Sequence, residues 1–275
     1  MLEPKTISVA RPTGQGPLLQ AGLEALAGMV LEGRIQSGVI SSPWGERSAL
    51  LGYYEPYTGG PVPVRRRITG GRTAMLREDD VYAGIVFASE SLVEAARLAE
   101  LIAECSGAKA WGATRMGPRR LAAGIIEIAG ARDPGAPLEC YVALLSTRPS
   151  IEAVDVGESA RRIARAYEDR RWTHYTGASS MPVRIASSRG EYYVRMGFHV
   201  TGDGFIAAAR IDGVFNAAPP SEPYNLASAI VGMPLNENVL MLAEHRLEKI
   251  ELHGVERRDV LGILEKLVES AGAPG

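Results

Sequence analysis

The hydrophobic positions follow two periods along the chain, and together they predict an α+β protein. Apolar residues recur at helical spacing over 18–32, 89–106 and 156–167, and again in the tail near 223–231, 236–245 and 257–270. Runs typical of strands cover 39–42, 48–54, 62–68, 81–88, 121–128, 140–145, 182–185, 192–200 and 205–214. The glycine-rich segment at 201–204 predicts a hairpin turn between the last two strands.

The length and a change in patterning predict two domains. A chain of 275 residues can form one large domain or two ordinary ones. Near residues 150–170 the mixture of helices and buried strands gives way to alternating strands, followed by helices. We therefore expect a first domain over residues 1–160 and a smaller α+β domain over residues 161–275.

Composition and charge exclude several classes of function. Hydrophobic residues make up 46% of the chain and charged residues 23%, which is typical of a globular protein with a real core. The net charge of −2 gives no overall attraction to nucleic acid or to an anionic membrane, so we expect neither as a partner. No apolar run reaches the roughly 18–20 residues that span a bilayer, and the N-terminus does not resemble a signal peptide. A cytoplasmic location is the expectation.

Cysteine and histidine give little indication of chemistry. Cys105 and Cys140 are too few for a disulfide framework, and neither belongs to a Cys-x-x-Cys pair. The four histidines are scattered, so the sequence predicts no metal site. A catalytic thiolate needs a nearby base or a lowered pKa. Cys105 falls near a predicted helix C-terminus and Cys140 at the start of a predicted strand, where a buried structural role is commoner.

The chemistry concentrates in one segment, residues 64–73, with the sequence VRRRITGGRT. Glycines allow the backbone to approach a ligand, and successive N–H groups in such a turn can bind an anion. Arginine side chains match carboxylate and phosphate groups. The segment therefore indicates an anion site or, equally on local composition, a hairpin turn with a basic edge. Glu127 lies in an apolar run, and we expect this acid to be paired, with an arginine of the loop as one partner.

The segment from Arg66 to Arg72, which we call the arginine–glycine loop, resembles the Arg-Arg-x-Ser/Thr-Gly-Gly loop of the lipoate-protein ligase family. The strand that ends in Leu50-Leu51-Gly52 is similar to the family strand ahead of that loop. The second half resembles the ligase accessory domain at Trp172, Gly177, Pro182, Gly204-Phe205-Ile206, 211–215 and 229–232. The resemblance implies a mixed or antiparallel sheet with flanking helices, as in biotin and lipoate ligases, and a smaller accessory domain.

The resemblance also implies an activity and a set of site residues. In this activity, lipoate or a related acid reacts with ATP in the presence of Mg²⁺ to form an acyl-adenylate. The acyl group is then transferred to a lysine of a lipoyl-carrier domain. Such carriers are the acyltransferase subunit of 2-oxoacid dehydrogenases and the glycine cleavage H protein. By resemblance, the binding residues are Arg66, Arg67, Thr69, Gly70, Gly71, Arg72 and Gly124.

Two departures from the family pattern leave alternatives open. The histidine that follows the family glycines is absent from residues 73–80, and the family lysine is replaced by Arg120 or Leu121. Arginine keeps the charge but is bulkier and planar, so Arg120 is the candidate catalytic residue in place of that lysine. The alternatives are a protein that binds acyl groups or nucleotides without catalysis, and an octanoyl or lipoyl transferase.

Overall fold

A computed structural model describes residues 4–11, 14, 16–117, 122–131 and 133–272. In this part of the chain the helices are α1 Pro17–Leu31, α2 Leu92–Ser106, α3 Ala136–Ala143, α4 Gly157–Tyr167, α5 Arg170–Thr173, α6 Glu222–Ala229, α7 Glu237–Leu247 and α8 Arg257–Gly272. The strands of the first half are β1 Thr6–Ala10, β2 Ser37–Pro43, β3 Ser48–Leu51, β4 Val64–Arg66, β5 Ala74–Leu76, β6 Val81–Ala88, β7 Ala110–Met116, β8 Ala123–Ala131 and β9 Ser150–Val154. Those of the second half are β10 Val183–Arg189, β11 Tyr192–Val200, β12 Ile206–Val214, β13 Asn216–Ala218 and β14 Glu251–His253.

A mixed six-stranded sheet forms the centre of the first half, in the order β7-β8-β6-β2-β1-β9. β1 runs parallel to β2 and β9, and the other neighbours are antiparallel. Both faces of the sheet are covered. α1 packs Leu19 and Leu23 against one face, and α2 packs Leu92 and Ile102 against the other. Because β6 is buried on both faces, its sequence is a continuous apolar run rather than an alternation of apolar and polar residues.

A second, three-stranded sheet carries the start of the arginine–glycine loop. Its order is β4-β3-β5, with β4 parallel and β5 antiparallel to β3. β4 ends at Arg66, so the loop begins at the end of a strand, as the sequence predicts.

The second half has its own core around an antiparallel sheet, β10-β11-β12, which packs with α6, α7 and α8. Tyr54, from the first half, is part of this core and stacks on Phe215 with ring centroids 4.2 Å apart. The predicted division after residue 160 falls within α4, which packs Ala160 and Ala164 against Ala21 of α1. The domain boundary stays a prediction.

Several local signals in the sequence are confirmed. α2 begins after Ser91, whose hydroxyl accepts hydrogen bonds from two backbone N–H groups. It ends at Gly107 in the left-handed conformation, as expected for a glycine C-cap. The hairpin predicted at 201–204 connects β11 and β12. Within the described ranges, no helix is both long and apolar enough to cross a membrane.

Two expectations are wrong in this region. Residues 140–145, predicted as a strand, belong largely to helix α3, because the short apolar run could not distinguish the two structures. Cys105 and Cys140 form a disulfide between α2 and α3, although two cysteines do not suggest a disulfide framework. Helix packing brings together cysteines that are 35 residues apart in sequence. The expected cytoplasmic location stays a prediction.

Candidate functional site

Arg66 of the arginine–glycine loop binds the protein's own backbone. Its side chain is 1% exposed. Nη1 donates to the carbonyl oxygens of Gly52, Tyr53 and Glu55 at 2.8, 3.0 and 2.5 Å, and Nε donates to that of Trp172 at 2.9 Å. Burial lowers the pKa of Arg66, and the neighbouring Glu55 carboxylate partly restores it. The guanidinium therefore joins three parts of the chain and is turned away from solvent.

Arg67 and Thr69 surround a buried carboxylate. Both are inaccessible to solvent, as is Glu127 of β8. The Thr69 backbone N–H and hydroxyl donate to Oε2 of Glu127 at 2.8 and 2.7 Å, and the Tyr82 hydroxyl donates to Oε1 at 2.6 Å. Burial lowers the pKa of Arg67, and the charge of Glu127 opposes that shift. Glu127 is thus paired with the loop, as predicted, but its hydrogen-bond donors are Thr69 and Tyr82 rather than an arginine.

The two glycines of the loop make room for backbone from elsewhere in the protein. An added Cβ on Gly70 would lie 1.8 Å from the Phe215 carbonyl oxygen, and one on Gly71 would lie 2.3 Å from that of Trp111. The Gly71 N–H donates to the Phe215 carbonyl at 3.2 Å. The close approach inferred from the glycines is therefore present, and the groups that approach are the backbone at Phe215 in the second half and at Trp111 in β7 of the first half.

The remaining predicted site residues are dispersed. Arg72 is half exposed and pairs with Glu191. Gly124 is buried in β8 beside the Phe87 ring and Ser89, where an added Cβ would lie 2.8 Å from the Ser89 Cβ. Arg120 and Leu121 lie outside the described residues. The structure tests ligand binding at none of these positions, so their assigned roles stay predictions.

An open cleft of about 600 Å³ lies beside the loop. The loop contributes one cleft residue, Ile68, and β7 contributes Met116, with Gly117 next to it. The other lining residues come from α1, the turn after β3, the α4–α5 region and the second half: Glu24, Tyr53, Ala166, Tyr167, Asp169, Trp172, Pro219, Pro220 and Ser221. Residues 118–121, which include Arg120, follow Gly117 in sequence. The volume is within the range of about 300–1,000 Å³ that is usual for small-molecule sites.

The cleft and the buried loop are physically connected. Arg66 fixes the carbonyls of Tyr53 and Trp172, whose rings meet edge to face at 5.0 Å in the cleft wall. The Gln20 side chain also reaches the loop, donating from Nε2 to the Arg66 carbonyl at 2.8 Å. The loop therefore supports the aromatic wall from behind.

Most of this cleft has no signature in the sequence. In the sequence, Trp172 stands out only as part of the accessory-domain pattern, and nothing marks Tyr53 or Met116 as site residues. No local motif marks them, because they come from separate elements that the fold brings together. The one sequence signal was Ile68, an apolar residue inside an otherwise polar loop.

Comparisons with known proteins agree on the fold. No sequence family matches the chain, and no curated protein matches it in sequence. Among solved structures, LipL1 from P. falciparum in complex with lipoate superposes with a TM-score of 0.61 at 10% identity, covering 96% of this chain and 99% of LipL1. The chain has the lipoate-protein ligase fold. The putative lipoate-protein ligase Ta0514 from T. acidophilum and lipoate-protein ligase A bound with ATP match 63% and 62% of the chain at 13% identity, with TM-scores of 0.45 and 0.43.

Part of the arginine–glycine loop is already occupied by contacts within the protein. Two of its N–H groups, those of Thr69 and Gly71, already donate to Glu127 and Phe215. The space next to Gly70 holds backbone. Among the residues that the structure describes, no cluster of three or more histidine, cysteine, aspartate or glutamate side chains could hold Mg²⁺. The Thr69 and Gly71 N–H groups are therefore used within the protein, while Nη2 of Arg66 and Nε and Nη1 of Arg67 are buried without a hydrogen-bond partner in the described part of the chain.

Proposed function

We propose that this protein binds a medium-chain acyl acid, such as lipoate or octanoate, and joins it to a lysine of a carrier domain in the manner of a lipoate-protein ligase. The observation that carries the proposal is the cleft beside the loop. Apolar and aromatic side chains, notably Tyr53, Ile68, Met116 and Trp172, suit an aliphatic chain. The likeness of the whole chain to LipL1, solved with lipoate, favours an acid of that kind.

The acid's carboxylate needs a cation, which the described lining of the cleft lacks. Arg120 is the candidate that the sequence offers, because it follows Gly117 by three residues and Gly117 lines the cleft. An arginine there would neutralise the carboxylate as a fixed charge. By resemblance to the ligases, the acid is activated with ATP and Mg²⁺ and the acceptor is a lipoyl-carrier domain.

Binding without turnover is the second candidate, and the buried loop favours it. A ligase that uses this loop for phosphate needs free N–H groups, whereas Thr69 and Gly71 use theirs inside the protein. A cysteine-dependent octanoyl or lipoyl transferase is disfavoured, because Cys105 and Cys140 are joined in a disulfide and neither supplies a thiolate.

Two measurements separate these functions. Calorimetric titration with lipoate, octanoate and biotin, without ATP, measures acid binding. Incubation with the same acids, ATP and Mg²⁺ is then assayed for pyrophosphate and acyl-adenylate, and addition of a lipoyl-carrier domain is followed by mass spectrometry. Binding with pyrophosphate release and acylation of the carrier supports the ligase. Binding without either product supports the non-catalytic protein, and no binding of any acid contradicts both.

A further inference from the structure

The wall of the cleft contains a carboxylate that the proposed reaction does not use. Glu24 lies in the middle of α1, between core residues Leu23 and Ala25, and its side chain lines the cleft. Its Oε2 accepts a hydrogen bond from the Tyr167 hydroxyl at 2.8 Å.

The Tyr167 hydroxyl, next to Glu24, donates its hydrogen bond within the protein. The Tyr167 hydroxyl hydrogen is directed to Glu24, and burial together with the charge of Glu24 raises the pKa of Tyr167 well above its ordinary value, so it keeps that proton. A ligand in the cleft therefore meets the Glu24 carboxylate as an acceptor, beside the apolar and aromatic side chains of the wall.

Such a carboxylate is costly to cover with an apolar group. A ligand that places only methylene groups over Glu24 removes water from the carboxylate and supplies no hydrogen bond to replace it. A ligand with a strong donor at that point replaces the water with a charge-assisted hydrogen bond. The walls thus suit an aliphatic chain, and Glu24 suits a cationic group attached to it.

We propose that Glu24 receives a primary ammonium group carried at the end of an apolar chain. The inference rests on the proposed function, because it assumes that the cleft holds a chain. Two sources share this chemistry: an acid substrate with an amino group at its far end, and the side chain of the acceptor lysine. Glu24 acts by orienting that group and selecting for it.

Paired ligands that differ only in the amine test the proposal. Octanoate is compared with ω-aminooctanoate, and Nα-acetyl-lysine N-methylamide with its norleucine analogue, by calorimetry on the full chain. We expect the amine to improve affinity about tenfold in at least one pair, the value for one charge-assisted contact. The pair that shows the gain identifies the source.

Variants of two glutamates show whether Glu24 causes the higher affinity of the amine-bearing ligands. Glu24→Gln keeps an oxygen for the Tyr167 hydroxyl and removes the charge, so the amine advantage should disappear while octanoate binds as well as before or better. Glu244→Gln removes an equivalent charge from the exposed face of α7 and should leave the advantage intact. Urea unfolding of each variant confirms that it is folded.

The outcomes separate this inference from the proposed function. Octanoate binding with no amine advantage in either pair overturns the role of Glu24 and leaves the acyl site in place. An amine advantage that persists in Glu24→Gln also overturns it. If none of the four ligands binds, the acyl site itself is wrong, and the inference is wrong with it.

Discussion

The arginine–glycine loop and the cleft next to it differ in how their polar groups are used. In the loop, Arg66, Thr69 and Gly71 donate to carbonyl and carboxylate oxygens of the same chain. In the cleft, Glu24 and the aromatic side chains face open space. The arginine–glycine loop, which has the clearer ligand-binding motif, is thus buried between parts of the protein. The open cleft is lined by residues that no motif marks.

The difference shows what an arginine can do inside a protein. A guanidinium has five N–H donors and no acceptor, so it can satisfy several carbonyls that would otherwise be buried without a partner. Arg66 does this for four carbonyls from two distant segments. The same donors suit phosphate and carboxylate groups, and sequence alone does not distinguish the two uses.

The largest effect is expected at Gly70. Gly70→Ala places a methyl group where the Phe215 carbonyl oxygen lies, so backbone must move, and we expect a loss of about 3–4 kcal/mol in the free energy of unfolding. Gly28→Ala is the control, because Gly28 lies within α1 with nothing within 4 Å of the added Cβ. That change should stabilise the protein by about 0.5–1 kcal/mol. A Gly70→Ala protein as stable as wild type would mean that the loop is open and free to meet a ligand.

The two arginines at either end of the loop should respond differently. Arg66→Met leaves four carbonyls without their donor, and we expect a loss of about 3 kcal/mol in urea unfolding. Arg72→Met removes a half-exposed ion pair with Glu191 and should cost less than about 1 kcal/mol. Equal losses would contradict the structural role assigned to Arg66.

Ile68 is the residue by which the loop contributes to the cleft. Ile68→Ala removes apolar surface from the wall, and we expect octanoate to bind about fivefold more weakly, equivalent to about 1 kcal/mol. Val93→Ala, an exposed position at the start of α2, is the control and should bind octanoate as wild type does. Unchanged affinity in Ile68→Ala would place the acid elsewhere.

A surface pair outside both regions gives the smallest expected effect. Burial opposes ionisation of Asp80, but hydrogen bonds from the Lys109 ammonium and the Arg77 backbone N–H outweigh it and lower the pKa of Asp80. A lowered folded-state pKa stabilises the protein above the unfolded value of about 3.9, and this contribution is lost as the pH falls through the folded value.

Asp80→Asn should therefore cost less than about 1 kcal/mol at pH 7, because Lys109 is exposed. The difference from wild type should shrink as the pH is lowered below about 4. Urea unfolding at several pH values measures it. A difference that stays constant with pH would mean that the carboxylate charge contributes nothing, and that the loss comes from the side chain's geometry.

The sequence predicts much of the architecture and little of the site. Amphipathic spacing located α2 and α8, and the apolar run of β6 was identified as a buried strand, because local periodicity carries that information. The apolar run at 140–145 predicts a strand where the structure has helix α3, and no local pattern predicts the Cys105–Cys140 bond, since both depend on packing. The burial of Gly70 against Phe215 depends on the position of the second half, which local composition does not encode.

The most direct test of the contrast between loop and cleft is the location of a bound acid in a crystal structure of the complex with octanoate. We predict that the aliphatic chain lies between Tyr53, Ile68, Met116 and Trp172, with the Thr69 and Gly71 N–H groups still bonded to Glu127 and Phe215. A carboxylate bound to the N–H groups of Thr69, Gly70 or Gly71 would contradict the account, because the loop would then be the ligand site.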